Sequence, residues 1–117
     1  MSNSLITRRF EHTDKDVVVL HVKGRLDMTT LEDFKNLFTA EFESNRHRLI
    51  LNMAEVNFIV STHLGVIMSN YKTAQARGGD VKFSSLTEEV YGIFDLLQLT
   101  SILAIFKTDA EALKNFE

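Results

Sequence analysis

The sequence predicts an α/β fold in which strands and helices alternate along the chain after an opening β-hairpin. Two short apolar runs, at positions 17–22 and 49–53, have the composition and length of buried strands. After each run, apolar residues recur at three- or four-residue steps, the spacing of one helix face. Strand–helix–strand units place their strands parallel and join them by right-handed crossovers. We therefore expect a small, mostly parallel sheet with about four helices.

The composition limits the classes of protein to be considered. The chain has 117 residues, of which 44% are hydrophobic and 25% charged, as in a soluble globular protein. This length suits one domain over residues 1–117. The absence of cysteine excludes disulfides and thiolate metal sites, and it is compatible with a cytoplasmic location, which we expect. Residues 1–4 lack the pattern of a signal peptide.

Charge and hydropathy exclude two further classes. The formal net charge of −3 argues against a nucleic-acid surface, whose footprint is usually a basic stripe. No apolar stretch approaches the roughly 20 residues needed to span a bilayer. We expect neither direct nucleic-acid binding nor a membrane span.

The opening elements are a hairpin and an amphipathic helix. Residues 4–11 are expected to form an edge strand paired with the strand at 17–22. The candidates for its buried face are Leu5, Thr7 and Phe10. The first helix is expected to begin with Thr29 or Thr30 as a hydroxyl cap and to end at about Glu43. Its apolar positions lie along one side, at Leu31, Phe34, Leu37, Phe38 and Phe42.

A second helix is expected to follow the strand at 49–53. Ser61 and Thr62 stand just ahead of apolar residues at helical spacing, and a hydroxyl in that position is typical of an N-cap. We expect this helix from about Thr62 to Ala76, with Ile67 or Met68 buried and the end at Gly78-Gly79. Its apolar positions are Leu64, Ile67, Met68, Tyr71 and Ala74.

The last third of the chain continues the alternation. A short strand is expected at 81–83, then a third helix capped by Thr87. The apolar positions of this helix are Val90, Ile93, Phe94 and Leu97. Residues 103–106 are predicted as a final edge strand, and residues 109–116 as a terminal helix capped by Thr108 or Asp109.

The two hydroxyls at the predicted start of the second helix also suggest a modification site. A helix N-terminus offers unpaired N–H donors and favours negative charge, so a phosphate on Thr62 or Ser61 would be accommodated there. The alternative is that Thr62 is a helix cap without further chemistry.

Two segments resemble the STAS domain family, and most closely the bacterial anti-sigma factor antagonists. Residues 58–67 read Phe-Ile-Val-Ser-Thr-His-Leu-Gly-Val-Ile, where that family has Phe, a hydrophobic residue, then Asp-Ser-Ser-Gly or Asp-Ser-Ala-Gly, then Leu-Gly. Residues 24–27, Gly-Arg-Leu-Asp, are similar to a second family segment. Val60 stands where the family has Asp, and His63 where it has Gly.

The resemblance implies a small mixed sheet, largely covered on one side by helices, and a regulatory binding role. In that family an unphosphorylated domain captures an anti-sigma factor with serine/threonine kinase activity, and phosphorylation breaks the complex. By position the phosphoacceptor is Thr62, with Ser61 as a weaker candidate. A phosphatase would be a further partner.

The same positions leave other functions open. Valine at position 60 cannot orient a hydroxyl or accept its proton as an aspartate can. One alternative is therefore a STAS scaffold or decoy that binds without phosphorylation. Another is a small-ligand sensor that uses a pocket at the strand ends.

Asp27, Ser61, Thr62 and His63 are predicted to share the docking face. Asp27 is expected to cap a helix that starts near Met28, or to lie beside the hydroxyl site. His63 is expected to be an exposed helix residue. Two alternatives for His63 are an imidazole that pairs with a phosphate on Thr62, and a side chain that fills the space of the family glycine.

No catalytic or metal motif accompanies these residues. The four histidines (His12, His21, His47 and His63) lack metal-ligand spacing. Gly78-Gly79-Asp80 lacks the pattern of a phosphate-binding loop, and no serine lies in a nucleophile elbow. We therefore expect no metal, no cofactor and no enzymatic activity.

Overall fold

The protein is built on one five-stranded sheet with the strand order β1-β2-β3-β4-β5. The structure, a computed structural model, describes residues 6–12 and 15–116. The first two strands pair antiparallel as the predicted hairpin, and each later strand is parallel to its neighbour. The strands are β1 Ile6–His12, β2 Val17–Lys23, β3 Arg48–Glu55, β4 Asp80–Ser84 and β5 Ile105–Phe106.

Helices connect the parallel strands, which confirms the predicted α/β class. The helices are α1 Leu31–Glu43, α2 Ser61–Ala76, α3 Glu88–Leu96 and α4 Asp109–Lys114. A short 3-10 turn, Met28–Thr30, precedes α1, and a second one, Leu99–Ser101, follows α3. No helix within residues 6–12 and 15–116 is long and apolar enough to cross a membrane.

The main core lies between one face of the sheet and the first three helices. Successive strand residues point to opposite faces, so Leu49, Leu51 and Met53 face this core. Phe34 of α1 and Ile67 of α2 are each 0% exposed within it, as predicted for Ile67. The other core residues of α1 and α3 include Phe38, Val90 and Phe94.

The opposite face of the sheet has a smaller core beneath α4. Val17, Val19 and Ile50 pack there against Ala112 and Phe116. This arrangement explains why residues 49–51 are all apolar, since β3 is covered on both faces.

Two predicted caps are confirmed. The Thr87 hydroxyl accepts a hydrogen bond from the Val90 amide at 3.3 Å, and the Thr108 hydroxyl accepts one from the Glu111 amide at 3.1 Å. Leu97 was predicted to lie on the apolar side of α3, but it is 51% exposed because the helix ends at Leu96.

The predicted buried face of the first strand is not tested. Its candidates, Leu5, Thr7 and Phe10, lie outside the part of the chain whose side chains the structure describes.

Candidate functional site

Two loops at the carboxyl ends of β2 and β3 form the candidate site. The amide of Leu26 donates to the carbonyl of Phe58 at 3.0 Å, and the amide of Val60 donates to the carbonyl of Leu26 at 2.9 Å. These bonds make a parallel bridge between Leu26 and Ile59, both of which are buried. The two segments that resemble the STAS family therefore lie side by side at one end of the sheet.

Asp27 caps the 3-10 turn before α1, which is one of the two roles predicted for it. Its Oδ1 accepts hydrogen bonds from the Thr29 amide at 3.0 Å and the Thr29 hydroxyl at 2.6 Å. The Asp27 amide donates in turn to the Thr30 hydroxyl, which completes a capping box. The hydrogen bond from the Thr29 hydroxyl is the main reason that the pKa of Asp27 lies below its usual value, and Arg25 lowers it further.

The threonine cap predicted for α1 is wrong. Thr30 occupies the N-cap position, but its side chain makes no capping bond. Its hydroxyl donates instead to the carbonyl of Arg25 at 2.8 Å. The 3-10 turn leads directly into α1, so the capping chemistry belongs to Asp27, one turn earlier.

The hydroxyl cap predicted for α2 is also wrong. The N-cap residue is Val60, whose backbone is extended and whose side chain offers no hydrogen-bond acceptor. Ser61 and Thr62 are the first two helical residues, and both are exposed. The bridge to Leu26 holds the chain extended through Val60 and lets the helix begin at the next residue. The first turn of α2 consequently has no side-chain cap.

The Thr62 hydroxyl is exposed and weakly held. Its Oγ1 lies 3.4 Å from the Sδ of Met28, and thioether sulfur is a weak hydrogen-bond acceptor. The Met28 side chain is itself 63% exposed. A partner that approaches this end of the sheet would therefore meet an exposed, weakly bonded hydroxyl beside an apolar side chain.

His63 is buried, so the expectation of an exposed side chain is wrong. It is 0% exposed, and its Nε2 lies 2.8 Å from the carbonyl oxygen of Asp27. A carbonyl only accepts, so Nε2 is the donor in this bond. The His63 ring centroid lies 4.9 Å from that of Phe34. Position 63 is on the inward side of α2, next to the buried Leu64.

The burial of His63 removes it from the predicted docking face. The imidazole is enclosed and already bonded to Asp27, so it is not placed to pair with a phosphate on Thr62. The alternative that its side chain fills the space of a smaller residue agrees with the structure. His63 lies beneath the surface and joins the two loops of the site.

Sequence reasoning missed two exposed apolar side chains at this end of the sheet, Met28 and Phe58. Phe58 is 37% exposed, and the guanidinium carbon of Arg25 lies 3.9 Å from its ring centroid. The distance is well within the range of a cation–π contact. The only signal in the sequence is that both residues stand in the short segments between a predicted strand and a predicted helix.

A groove between α1 and α2 opens beside the Thr62 hydroxyl. Its volume is about 530 Å³. A separate cavity of about 390 Å³ lies at the ends of β4 and β5. Among the residues that the structure describes, no three acidic, histidine or cysteine side chains cluster so as to hold a metal ion. The groove is lined by Leu31, Lys35, Thr39, Thr62, Gly65, Val66, Ser69 and Asn70.

The fold and the site define an α/β domain whose exposed hydroxyl, at the start of a helix, lies beside two joined strand-end loops. The sequence profile of the STAS domain family matches residues 10–112. The chain therefore belongs to the STAS domain family.

Relatives in this family include anti-sigma factor antagonists. The anti-sigma F factor antagonist of Paenibacillus polymyxa is 23% identical over 104 residues, which cover 88% of this chain and 89% of that protein. An anti-sigma factor antagonist from Mycobacterium paratuberculosis has a similar solved structure, with a TM-score of 0.85 at 21% identity, covering 99% of this chain and 97% of that one.

The same fold occurs in the Bacillus cell fate determinant SpoIIAA, solved in its phosphorylated form. The TM-score is 0.71 at 17% sequence identity, and the match covers 96% of this chain and all of that one. Both structural comparisons confirm the predicted STAS-type fold.

Proposed function

We propose that this chain is an anti-sigma factor antagonist that docks a serine/threonine switch kinase and is controlled by phosphorylation at Thr62. The observation that supports the proposal best is the exposed Thr62 hydroxyl at the first turn of α2, next to exposed apolar side chains. The names of the relatives supply the class of partner, an anti-sigma factor. In this proposal the chain acts as one binding domain, without catalysis or a cofactor, and a phosphatase would reset it.

The proposed docking face consists of Asp27, Met28, Phe58, Ser61 and Thr62. Met28 and Phe58 are the largest exposed apolar side chains near the hydroxyl, at 63% and 37% exposure. Buried apolar anchors dominate the binding energy of most interfaces, with polar residues around them. Asp27 and the two hydroxyls would form that polar surround.

Phosphorylation of Thr62 would change this face in charge and in shape. A phosphate brings about −1.5 to −2 charges at neutral pH. It would replace the weak contact between the hydroxyl and Met28 with a solvated dianion. A dianion in an apolar interface carries a large desolvation cost, so affinity for the kinase would fall.

Val60 implies that the kinase supplies the catalytic groups. Position 60 is the N-cap of α2, directly before the hydroxyl pair, and its valine cannot orient or deprotonate a hydroxyl. A transferase that provides its own base and metal ions does not need a carboxylate from its substrate. We expect phosphorylation of Thr62 to proceed, but slowly.

A binding titration of single variants tests the docking face. The chain is titrated with each switch kinase of its source organism, using Met28→Ala, Phe58→Ala and Asp27→Lys. Losing an interface anchor typically costs at least about 2 kcal/mol, roughly 30-fold in Kd. The matched control is Leu96→Ala, because Leu96 is an apolar residue that is 80% exposed at the end of α3.

The expected result is weaker binding by all three docking-face variants and unchanged binding by Leu96→Ala. Circular dichroism confirms that each variant is folded. If the three variants bind as tightly as the unmodified chain does, the docking face lies elsewhere. If Leu96→Ala alone weakens binding, the interface is at the end of α3.

A phosphorylation-independent scaffold is the second candidate function. It is favoured by Val60, which removes the family carboxylate, and by His63, which fills the position of the family glycine from within the core. A kinase that binds the chain tightly but never labels it would support the scaffold over the switch.

A further inference from the structure

We propose that Lys35 of α1 is the counter-ion that receives the phosphate on Thr62, inside the groove between α1 and α2. This inference rests on the proposed modification of Thr62 and specifies where the phosphate lies and what holds it. The phosphorylated side chain would turn from Met28 into the groove and pair there with the Lys35 ammonium.

Lys35 and Thr62 lie on the two helices that face each other across the groove. Leu31, Lys35 and Thr39 follow each other at four-residue steps along α1, so they form one row on its surface. Thr62 and Val66 form a corresponding row on α2, and all five residues line the same cavity of about 530 Å³. A lysine side chain has a flexible four-carbon stem, so its ammonium can move within such a space.

The groove is open beside Gly65. A Cβ atom added at Gly65 would meet no heavy atom within 4 Å, and the residue is exposed one turn after Thr62. The cavity therefore has room for a phosphate beside the first turn of α2 without displacing a side chain.

Lys35 is the charged residue of this groove. The other seven lining residues are apolar, hydroxyl-bearing, amide or glycine. In the part of the chain that the structure describes, no ion pair occupies the Lys35 side chain, which is exposed. The cation is thus available to a new anion, and no carboxylate lines the groove to compete for it.

Other charged groups near Thr62 are already engaged. Arg25 stacks on Phe58 and its Nε lies 3.3 Å from the Oδ2 of Asp27. The Asp27 carboxylate would repel a phosphate on the loop side of Thr62, and His63 is buried and bonded to the Asp27 carbonyl. Repulsion from Asp27 and attraction to Lys35 both direct the phosphate toward the groove.

The uncapped first turn of α2 adds to this placement. No side chain caps the helix at Val60. The His63 amide donates to the Val60 carbonyl at 3.0 Å, so the first-turn amides that remain for an anion are those of Ser61 and Thr62. The amides alone do not define a site, but they lie on the helix that bears Thr62. Together with Lys35 they would stabilise the dianionic form of the phosphate.

The test inserts phosphothreonine at position 62 by genetic code expansion, so no kinase is needed. The second ionisation of the phosphate is followed by phosphorus NMR in the full chain, in Lys35→Met and in Lys72→Met. Lys72 is a matched control, because it is exposed on α2 and does not line the groove. Arg25→Met tests the other nearby cation.

If Lys35 pairs with the phosphate, removing the lysine should raise the pH at the midpoint of the second phosphate ionisation. We expect an increase of about 0.2–0.7 pH units in Lys35→Met, the size of an exposed ion pair, and no change in Lys72→Met. The difference should shrink in 1 M salt, where charges are screened within roughly 3 Å.

An unchanged midpoint in Lys35→Met overturns the inference, and so does a rise confined to Arg25→Met. Circular dichroism on the same samples shows that the phosphorylated variants are folded. Because the phosphate is installed without a kinase, a negative result here leaves the docking proposal standing. Failure of kinase docking, in turn, leaves a measured Lys35 effect intact.

Discussion

At the scale of single residues, His63 differs most from what the sequence predicted. Its ring fills the space against Phe34, and its Nε2 bonds the Asp27 carbonyl at 2.8 Å. One side chain therefore connects the first turn of α2, the core and the loop after β2. The family glycine at this position could do none of these things.

We expect His63→Ala to destabilise the protein. The change removes a buried hydrogen-bond donor and leaves a cavity beside Phe34, so the free energy of unfolding should fall by about 2–4 kcal/mol. Urea denaturation measures the loss, with Ser69→Ala as an exposed control on the same helix. A denaturation midpoint equal to that of the unmodified chain would contradict the structural role of His63.

Asp27 gives a pH-dependent prediction at the same scale. Its pKa is lowered in the folded protein, mainly by the Thr29 hydroxyl, so ionised Asp27 stabilises the fold. This contribution is fully present above the unfolded pKa of about 3.9 and is lost as the pH falls through the lower folded value.

Asp27→Asn is the variant to compare, because asparagine retains an oxygen that can cap the turn. Between pH 5 and pH 7, where Asp27 is ionised, the urea midpoint of the variant should lie below that of the unmodified chain. The two midpoints should converge below about pH 4. A constant difference across the whole range would mean that the charge of Asp27 contributes nothing.

At the scale of elements, α2 begins without a side-chain cap. Valine is among the poorest N-cap residues, and Val60 occupies that position in an extended conformation. An aspartate there would offer an acceptor to the amides of the first turn. The family aspartate would thus cap the helix as well as lie beside the hydroxyl.

Val60→Asp should therefore stabilise the protein. We expect the free energy of unfolding to rise by about 0.5–2 kcal/mol, the usual value of a cap. Val60→Ala is the control, since it shortens the side chain without adding an acceptor. Thermal denaturation at neutral pH measures both variants, and an aspartate variant no more stable than the alanine variant would argue against capping.

At the scale of the whole molecule, the fold was largely predictable and the details of the site were not. The order of strands and helices follows from apolar periodicity, which local sequence contains. The start of α2 depends on the bridge between Leu26 and Ile59, which are far apart in sequence. The burial of His63 depends on contacts with Phe34 and Asp27, which no local pattern encodes.

The contacts on the second face of the sheet could not be predicted from local sequence patterns either. Asp109, at the start of α4, is contacted by three side chains from three neighbouring strands, namely His21, Asn52 and Ser84. The three strand residues lie in register across the sheet. No local pattern in the sequence relates the three residues to one another, so this polar attachment of α4 is visible only in three dimensions.

The central claim is that Thr62 is the phosphorylated residue of a kinase-docking domain, and an intact-mass time course tests it most directly. The chain, Thr62→Ala and Ser61→Ala are each incubated with ATP and a switch kinase that binds the unmodified chain. Ser61 is the matched control, since it is exposed in the same turn. The account predicts one phosphate on the unmodified chain and on Ser61→Ala, and none on Thr62→Ala. Equal labelling of the unmodified chain and Thr62→Ala would contradict it.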